Sequence, residues 1–202
     1  KPQIPLVLGS VLVVDLGQRT LSPVIAPLAR EGGLAEWQVG GTNSTAAGMV
    51  VLTSQGWGRR SQSWGRKTVL LLAFALAVVS MLAFTAVAAL GMRGMLAAAP
   101  LFICFVLLRG VGFGTAIAAV PPSAQAYIAD VTFDEATRTR GMAGVGAVQG
   151  VAMIGGAVVG GALAGFGLLV PIAVVPVLLC LGFVLIAVRL RREPRHQLIL
   201  QP

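Results

Sequence analysis

Three charged side chains sit where water is scarce. Asp15 and Arg19 interrupt the apolar run that begins near residue 4, and Arg109 interrupts the run near 98–128. A charge at the centre of a bilayer costs about 2.5–3.5 kcal/mol on insertion scales, so such groups face a cavity, find a partner and mark proton or substrate routes. At ~1.5 Å per residue, Asp15 lies about ten residues into its helix from one side, and Arg109 about eleven residues into its helix from the other. Both reach the middle of the membrane from opposite directions. Arg19, one turn beyond Asp15, is a local partner. Arg109 across the bundle is the second possibility. The group serves either as an ion pair that fixes helix packing or as a proton or substrate site. No nucleophile–base pair or metal-ligand cluster accompanies it. His196 stands alone in a polar tail, and Cys104 and Cys180 lie inside apolar runs with no CxxC spacing. Enzyme chemistry, a resident metal, a cofactor and a disulfide framework are therefore not expected.

The elements that must carry these residues follow from composition. Of 202 residues 56% are hydrophobic and 11% charged, with a mean hydropathy of +0.88. Soluble domains carry about 25% charged residues, so a water-soluble globule is excluded. A span needs about 20 apolar residues to cross roughly 30 Å of hydrocarbon. Six stretches qualify, near 4–28, 37–57, 68–91, 98–128, 139–165 and 167–190. The second is the most polar, interrupted by Gln38, Thr42, Asn43, Ser44, Thr45, Thr53, Ser54 and Gln55, so one of its faces looks at water or protein. Each run is far longer than the ~10-residue strand of a membrane barrel, so the fold class is an all-α bundle of six transmembrane helices.

The chain carries 15 Lys and Arg against 7 Asp and Glu. In this setting the excess is a topology signal and not a nucleic-acid footprint. Six spans put both termini on one side. That side holds Lys1, Arg59, Arg60, Arg66, Lys67, Arg138, Arg140, Arg189, Arg191, Arg192 and Arg195; the other holds Arg30 and Arg93. Both termini are thus expected in the cytoplasm, in a multi-pass protein of the inner or plasma membrane. No cleavable signal pattern opens the chain, and a first residue Lys1 in place of Met is expected of an excerpt. Two longer connections, 57–67 and 130–140, lie on the basic side. Residues 1–190 form the six-helix bundle, and the polar stretch 191–202 begins a cytoplasmic linker.

Polar residues within the spans, Asn43, Gln125, Tyr127 and Gln149, line a cavity or bond a neighbouring helix. Trp37, Trp57 and Trp64 fall near interfaces, where Trp anchors. Gly110, Gly112 and Gly114 follow Arg109, ahead of Pro121 and Pro122, and serve either close packing or a hinge. The pairs Gly146/Gly150, Gly156/Gly160 and Gly161/Gly165 have the GxxxG spacing that lets helices touch backbone to backbone.

The stretch from Gly58 to Lys67 resembles the signature between helices two and three of the major facilitator superfamily, Gly-x-x-x-Asp-Arg-x-Gly-Arg-Arg/Lys. Gly58, Gly65, Arg66 and Lys67 match, whereas Gln62 and Ser63 replace Asp and Arg. Tyr127 to Asp130, followed by Arg140 and Gly141, is similar to the junction of helices four and five in the drug/proton antiporters. Gly156 to Gly161 resembles their Gly-Pro-x-x-Gly-Gly pattern, with Ala157 for Pro, and Arg109 is similar to their helix-four arginine. This resemblance implies the N-terminal half of a twelve-helix transporter, built as a 3+3 inverted repeat. It implies proton-coupled efflux of small molecules or drugs by alternating access, with the proton gradient as energy source and no cofactor. Asp15, Arg19, Asn43, Arg109, Gln125, Tyr127 and Gln149 would lie on the proton or substrate pathway. Gly58, Gly65, Arg66, Lys67, Asp130 and Arg140 would form a cytoplasmic gate, with Asp130 paired to Arg66 or Lys67. Gly156, Gly160 and Gly161 would pack helices. The partners are the lipid bilayer, a small-molecule substrate and either a C-terminal six-helix half or a second copy. The alternative is a non-transporting membrane scaffold or a degenerate half-transporter.

Overall fold

In hydrocarbon a backbone must satisfy its own N–H and C=O groups, and long apolar runs do so as helices. The computed structural model of the chain describes residues 3–190. Lys1, Arg191, Arg192, Arg195, His196 and the expected linker 191–202 lie outside the described residues. Within them are six helices: α1 (Ile4–Glu31), α2 (Glu36–Trp64), α3 (Arg66–Met92), α4 (Ala98–Val131), α5 (Glu135–Ala164) and α6 (Leu169–Arg189). Helix α4 is continuous but not uniform. An α-helical start, Ala98–Phe105, gives way to π-helical Val106–Phe113 and returns to α-helix at Gly114–Val131.

Five helices, α1, α3, α4, α5 and α6, are long and apolar enough to cross a membrane. The chain is therefore a multi-pass membrane protein. Helix α2 is 29 residues long but falls short in apolarity, because polar residues in both of its halves lower its mean hydropathy.

Two connections are shorter than the sequence leads one to expect. The stretch 57–67 is not a loop: α2 runs through Trp64, and Gly65 alone separates it from α3. Trp57 and Ser61 are buried, and burial of that face keeps the segment helical. Gly65 has φ +87°, a left-handed conformation that a side chain would strain. Likewise 130–140 is mostly helix, with only Thr132, Phe133 and Asp134 between α4 and α5. Asp134 caps α5 by accepting the Thr137 backbone N–H at 2.9 Å.

The helices alternate in direction. α1 packs chiefly on α5, α2 on α4, and α3 on both α4 and α6, with α1–α6 contacts closing the bundle. Helix α3 supplies the centre: Val69, Ala73, Ala77, Met81, Phe84 and Ala88 recur at helical spacing and are buried. Phe84 meets Phe105 of α4 with ring centroids 4.7 Å apart. Helices α2 and α5 flank this core and keep broad exposed apolar faces, Val51 and Leu52 on one, Val151, Ile154 and Val158 on the other.

Candidate transmembrane cavity and basic-end clasp

Glycine sets how near the helices come. On α5, Gly156 lies against Leu16 and Arg19 of α1, and Gly160 against the Thr20 carbonyl and Pro23. A methyl group at either would push α1 away, so this GxxxG pair is a true seam. The other two pairs are not. A methyl group at Gly146, Gly150 or Gly161 would meet nothing within 4 Å, and Gly165 faces only its own helix end. Gly161, expected in the packing motif, is on the outer side of α5 because one residue past Gly160 turns about 100° around the helix. On α4, Gly110 meets Thr45 and the Thr42 carbonyl of α2, and Gly114 meets the backbone of Ala46. At these two glycines close packing is what the structure displays.

The α2–α4 seam leaves a cavity of about 240 Å³ beside it. Gln18, Ser22 and Ile25 of α1, Asn43, Ala46, Ala47 and Val50 of α2, and Arg109 and Ile117 of α4 line it. Arg109, carried by the π-helical stretch, is 5% exposed. Its guanidinium lies 5.3 Å from the Phe113 ring centroid, a cation–π contact. Its Nε and Nη1 are buried without a hydrogen-bond partner. π-Helical turns concentrate at functional sites, and this one holds the most deeply set charge in the bundle.

Asp15 does not pair with Arg109: neither of the two ion pairs among the described residues involves either residue. Its carboxyl group is faced by Gln149 of α5 and by the charge of Arg19, and Oδ2 is buried without a hydrogen bond. Arg19 is itself exposed. Asp15, Gln18 and Ser22 nevertheless share one face of α1, by their spacing of three and seven residues. Asp15 thus stands on the cavity-facing stripe of α1, beyond the residues that line the cavity. The structure brings Asn43 to Arg109 and Gln149 to Asp15. Gln125 is exposed on α4 and lines no described cavity. Tyr127 is also elsewhere: its hydroxyl accepts the Gln3 backbone N–H at 3.0 Å, tying the start of α1 to α4. Gln3 Nε2 also donates to the Arg189 carbonyl at 2.8 Å, so both ends of the described chain meet.

That end carries the basic residues. Arg66, 7% exposed, donates from Nη2 to Asp130 Oδ2 at 2.7 Å and from Nη1 to Ser61 Oγ at 2.6 Å. Of the two partners expected for Asp130, Arg66 holds it. Lys67 instead donates to the Ala187 carbonyl at 2.8 Å, capping α6. Arg140 is exposed and forms no ion pair among the described residues. Arg138 turns back to the Ala129 and Thr132 carbonyls at 3.3 and 3.1 Å, closing the end of α4. Gly58 sits within α2 with open space beside it. Trp57 is not an interfacial anchor: it is buried and donates from Nε1 to the Thr115 carbonyl at 2.9 Å. Arg60 lies near both Trp57 and Trp64, 5.8 and 5.6 Å from the ring centroids.

Sequence reasoning missed Gln18 and Ser22 in the cavity and Ser61 and Arg138 at the basic end. The spacing from Asp15 held the signal for the first two. A cation near a helix C-terminus was the signal for Arg138. Nothing local marked Ser61, whose role depends on the reversal at Gly65.

No curated protein is significantly similar to the chain. The family model of the Major Facilitator Superfamily, by contrast, matches residues 7–201, and with nearly the whole chain covered this multi-pass helical protein belongs to that superfamily.

Proposed function

We propose that the chain is one half of a secondary active transporter that uses the proton gradient to drive efflux of a small molecule or drug by alternating access, most like the drug/proton antiporter branch. The observation that carries this reading is the cavity between α1, α2 and α4, with a buried arginine whose Nε and Nη1 are unpartnered and an acid on the adjoining stripe. A packing pin would have its charges paired; here the acid and the guanidinium are both short of partners. Asp15 takes up and releases the proton, Arg109 and Arg19 set how readily it does so, and Asn43 and Gln149 line the route. Membership of the superfamily makes transport the expected class, with no enzymatic step and no cofactor.

The helix pairing supports a 3+3 inverted repeat. Exchanging α1–α3 with α4–α6 turns the α1–α5 pair into α4–α2 and the α3–α4 pair into α6–α1, and leaves α3–α6 unchanged; these five pairs are the most extensive helix contacts of the bundle. Repeats of this kind place substrate near the midplane. The basic end faces the cytoplasm, as its Lys and Arg content dictates. There Arg66 and Asp130 form a gate that joins the α2–α3 turn to the end of α4. Helix α2 spans as the sixth helix, with Thr42 and Thr45 turned to α4 and Asn43 to the cavity. The exposed apolar faces of α2 and α5 are available to lipid, and to a second six-helix half or a second copy.

The test is Asp15→Asn in the full-length protein, reconstituted with a fluorescent dye substrate and an imposed proton gradient. The variant is expected to lose gradient-driven transport while keeping dye binding. Gradient-driven transport at the parental rate would remove Asp15 from the mechanism.

A further inference from the structure

Arg109 has an unmet requirement. A guanidinium carries five N–H donors in a planar fork, and at 5% exposure this one has little access to water. Phe113 covers one face of the group but cannot accept its in-plane hydrogen bonds. Among the described residues Nε and Nη1 have no acceptor, and no carboxylate lines the cavity. A buried cation left this way is costly, and the cost falls away when an anion arrives. The remaining polar lining, Gln18, Ser22 and Asn43, is neutral and offers amide and hydroxyl groups that can donate or accept.

We infer that the cavity beside Arg109 binds a small organic carboxylate. This rests on the transport reading above and names its substrate class. A carboxylate matches the guanidinium fork in two parallel hydrogen bonds, which an ammonium or an uncharged ring cannot do. A single lining cation balances one negative charge, so a monovalent acid fits better than a phosphate dianion, which calls for further positive groups. The amides and the hydroxyl then bond the second oxygen or a polar substituent. The cavity, about 240 Å³, holds a compact acid.

Equilibrium dialysis of the full-length protein in phosphatidylcholine nanodiscs tests this, with benzoate and lactate as probes and benzamide and lactamide as their neutral counterparts. Saturable binding of at least one acid is expected, with its amide weaker by about tenfold or more, as befits loss of a charge-assisted pair. Arg109→Gln is expected to abolish the difference. Arg109→Lys, which keeps the charge but not the fork, is expected to retain part of it. Arg93→Gln, at an exposed basic residue outside the cavity, is expected to bind as the parent does. Phosphatidylglycerol in the nanodisc separates a soluble acid from a lipid headgroup: displacement of the acid by that lipid would assign the site to lipid and overturn the proposal. So would binding of neither acid, equal binding of acid and amide, or inorganic phosphate binding with the acids excluded. The measurement needs no gradient. Dye transport without acid binding therefore refutes the substrate class alone, and acid binding without transport refutes the transporter reading alone.

Discussion

Two arginines of this protein are buried to nearly the same degree, Arg66 at 7% exposure and Arg109 at 5%, yet their surroundings are opposite. Arg66 sits at the basic end with a carboxylate at 2.7 Å and a serine hydroxyl at 2.6 Å. Arg109 sits deep in the bundle with an aromatic face, neutral side chains and two nitrogens lacking acceptors. Burial alone thus does not say what a charge is for. A guanidinium paired with a carboxylate holds elements together; one beside a cavity with no anion is free to take one. The half-exposed Asp130 also matters: a pair with one foot in water can be broken and remade at modest cost, which suits a gate.

The contrast can be broken by substitution. Asp130→Ala leaves the Arg66 charge buried without its anion, and is expected to lower stability by about 2–3 kcal/mol, below the full cost of a deeply buried pair because Asp130 is partly solvated. Arg109→Met should act in the other direction. Removing an uncompensated buried charge for an apolar chain of similar length is expected to raise stability by about 1–2 kcal/mol while abolishing function. Thermal unfolding of the two variants in detergent reads both signs at once. Loss of stability in Arg109→Met would mean that the guanidinium has a structural partner after all.

A smaller effect tests the basic end. The Asp134 carboxyl is held below the usual carboxylate range by the Thr137 backbone N–H and, next, the Thr137 hydroxyl. A folded value below the unfolded one stabilises the start of α5 fully above the ordinary carboxylate range, and that stabilisation is lost as pH falls through the depressed value. Amide protection at Ala136–Arg138, corrected for intrinsic exchange, is expected to fall on acidification in the parent and to be low and flat in Asp134→Ala. The smallest effect is at Arg140. Exposed and without an ion pair, it is expected to change stability by less than about 0.5 kcal/mol when replaced by Ala. A larger loss would restore it to the clasp.

How much was legible beforehand depends on the range of the interaction. Six helical stretches followed from apolar run length, and their extents differ from the described helices mainly where a polar segment continues a helix, as at 58–64. Arg66 and Asp130 were legible as candidates through the resemblance to the superfamily signature, whereas the one-residue turn at Gly65 that places Arg66 was not. Tyr127 takes the second of its two expected roles: about one turn from the end of α4, it bonds Gln3 at the start of α1 instead of lining the cavity. The glycine motifs on α5 look alike in sequence, but only Gly156 and Gly160 meet another helix.

The sequence by itself determined that the chain is a bundle of membrane helices, which end is basic, and that an acid and a guanidinium lie at depth. Those properties depend on composition, spacing and the cost of charge in hydrocarbon. Tertiary structure alone decided that Asp15 and Arg109 do not meet. It also decided that α2 supplies the cavity wall and that Arg109 keeps unpartnered nitrogens. The physical reason is rotation about the helix axis. The π-helical stretch Val106–Phe113 changes the angle per residue, and the glycine seams at Gly110/Gly114 and Gly156/Gly160 set which faces meet. No local pattern in the chain encodes either the turn of one helix or the face its neighbour presents.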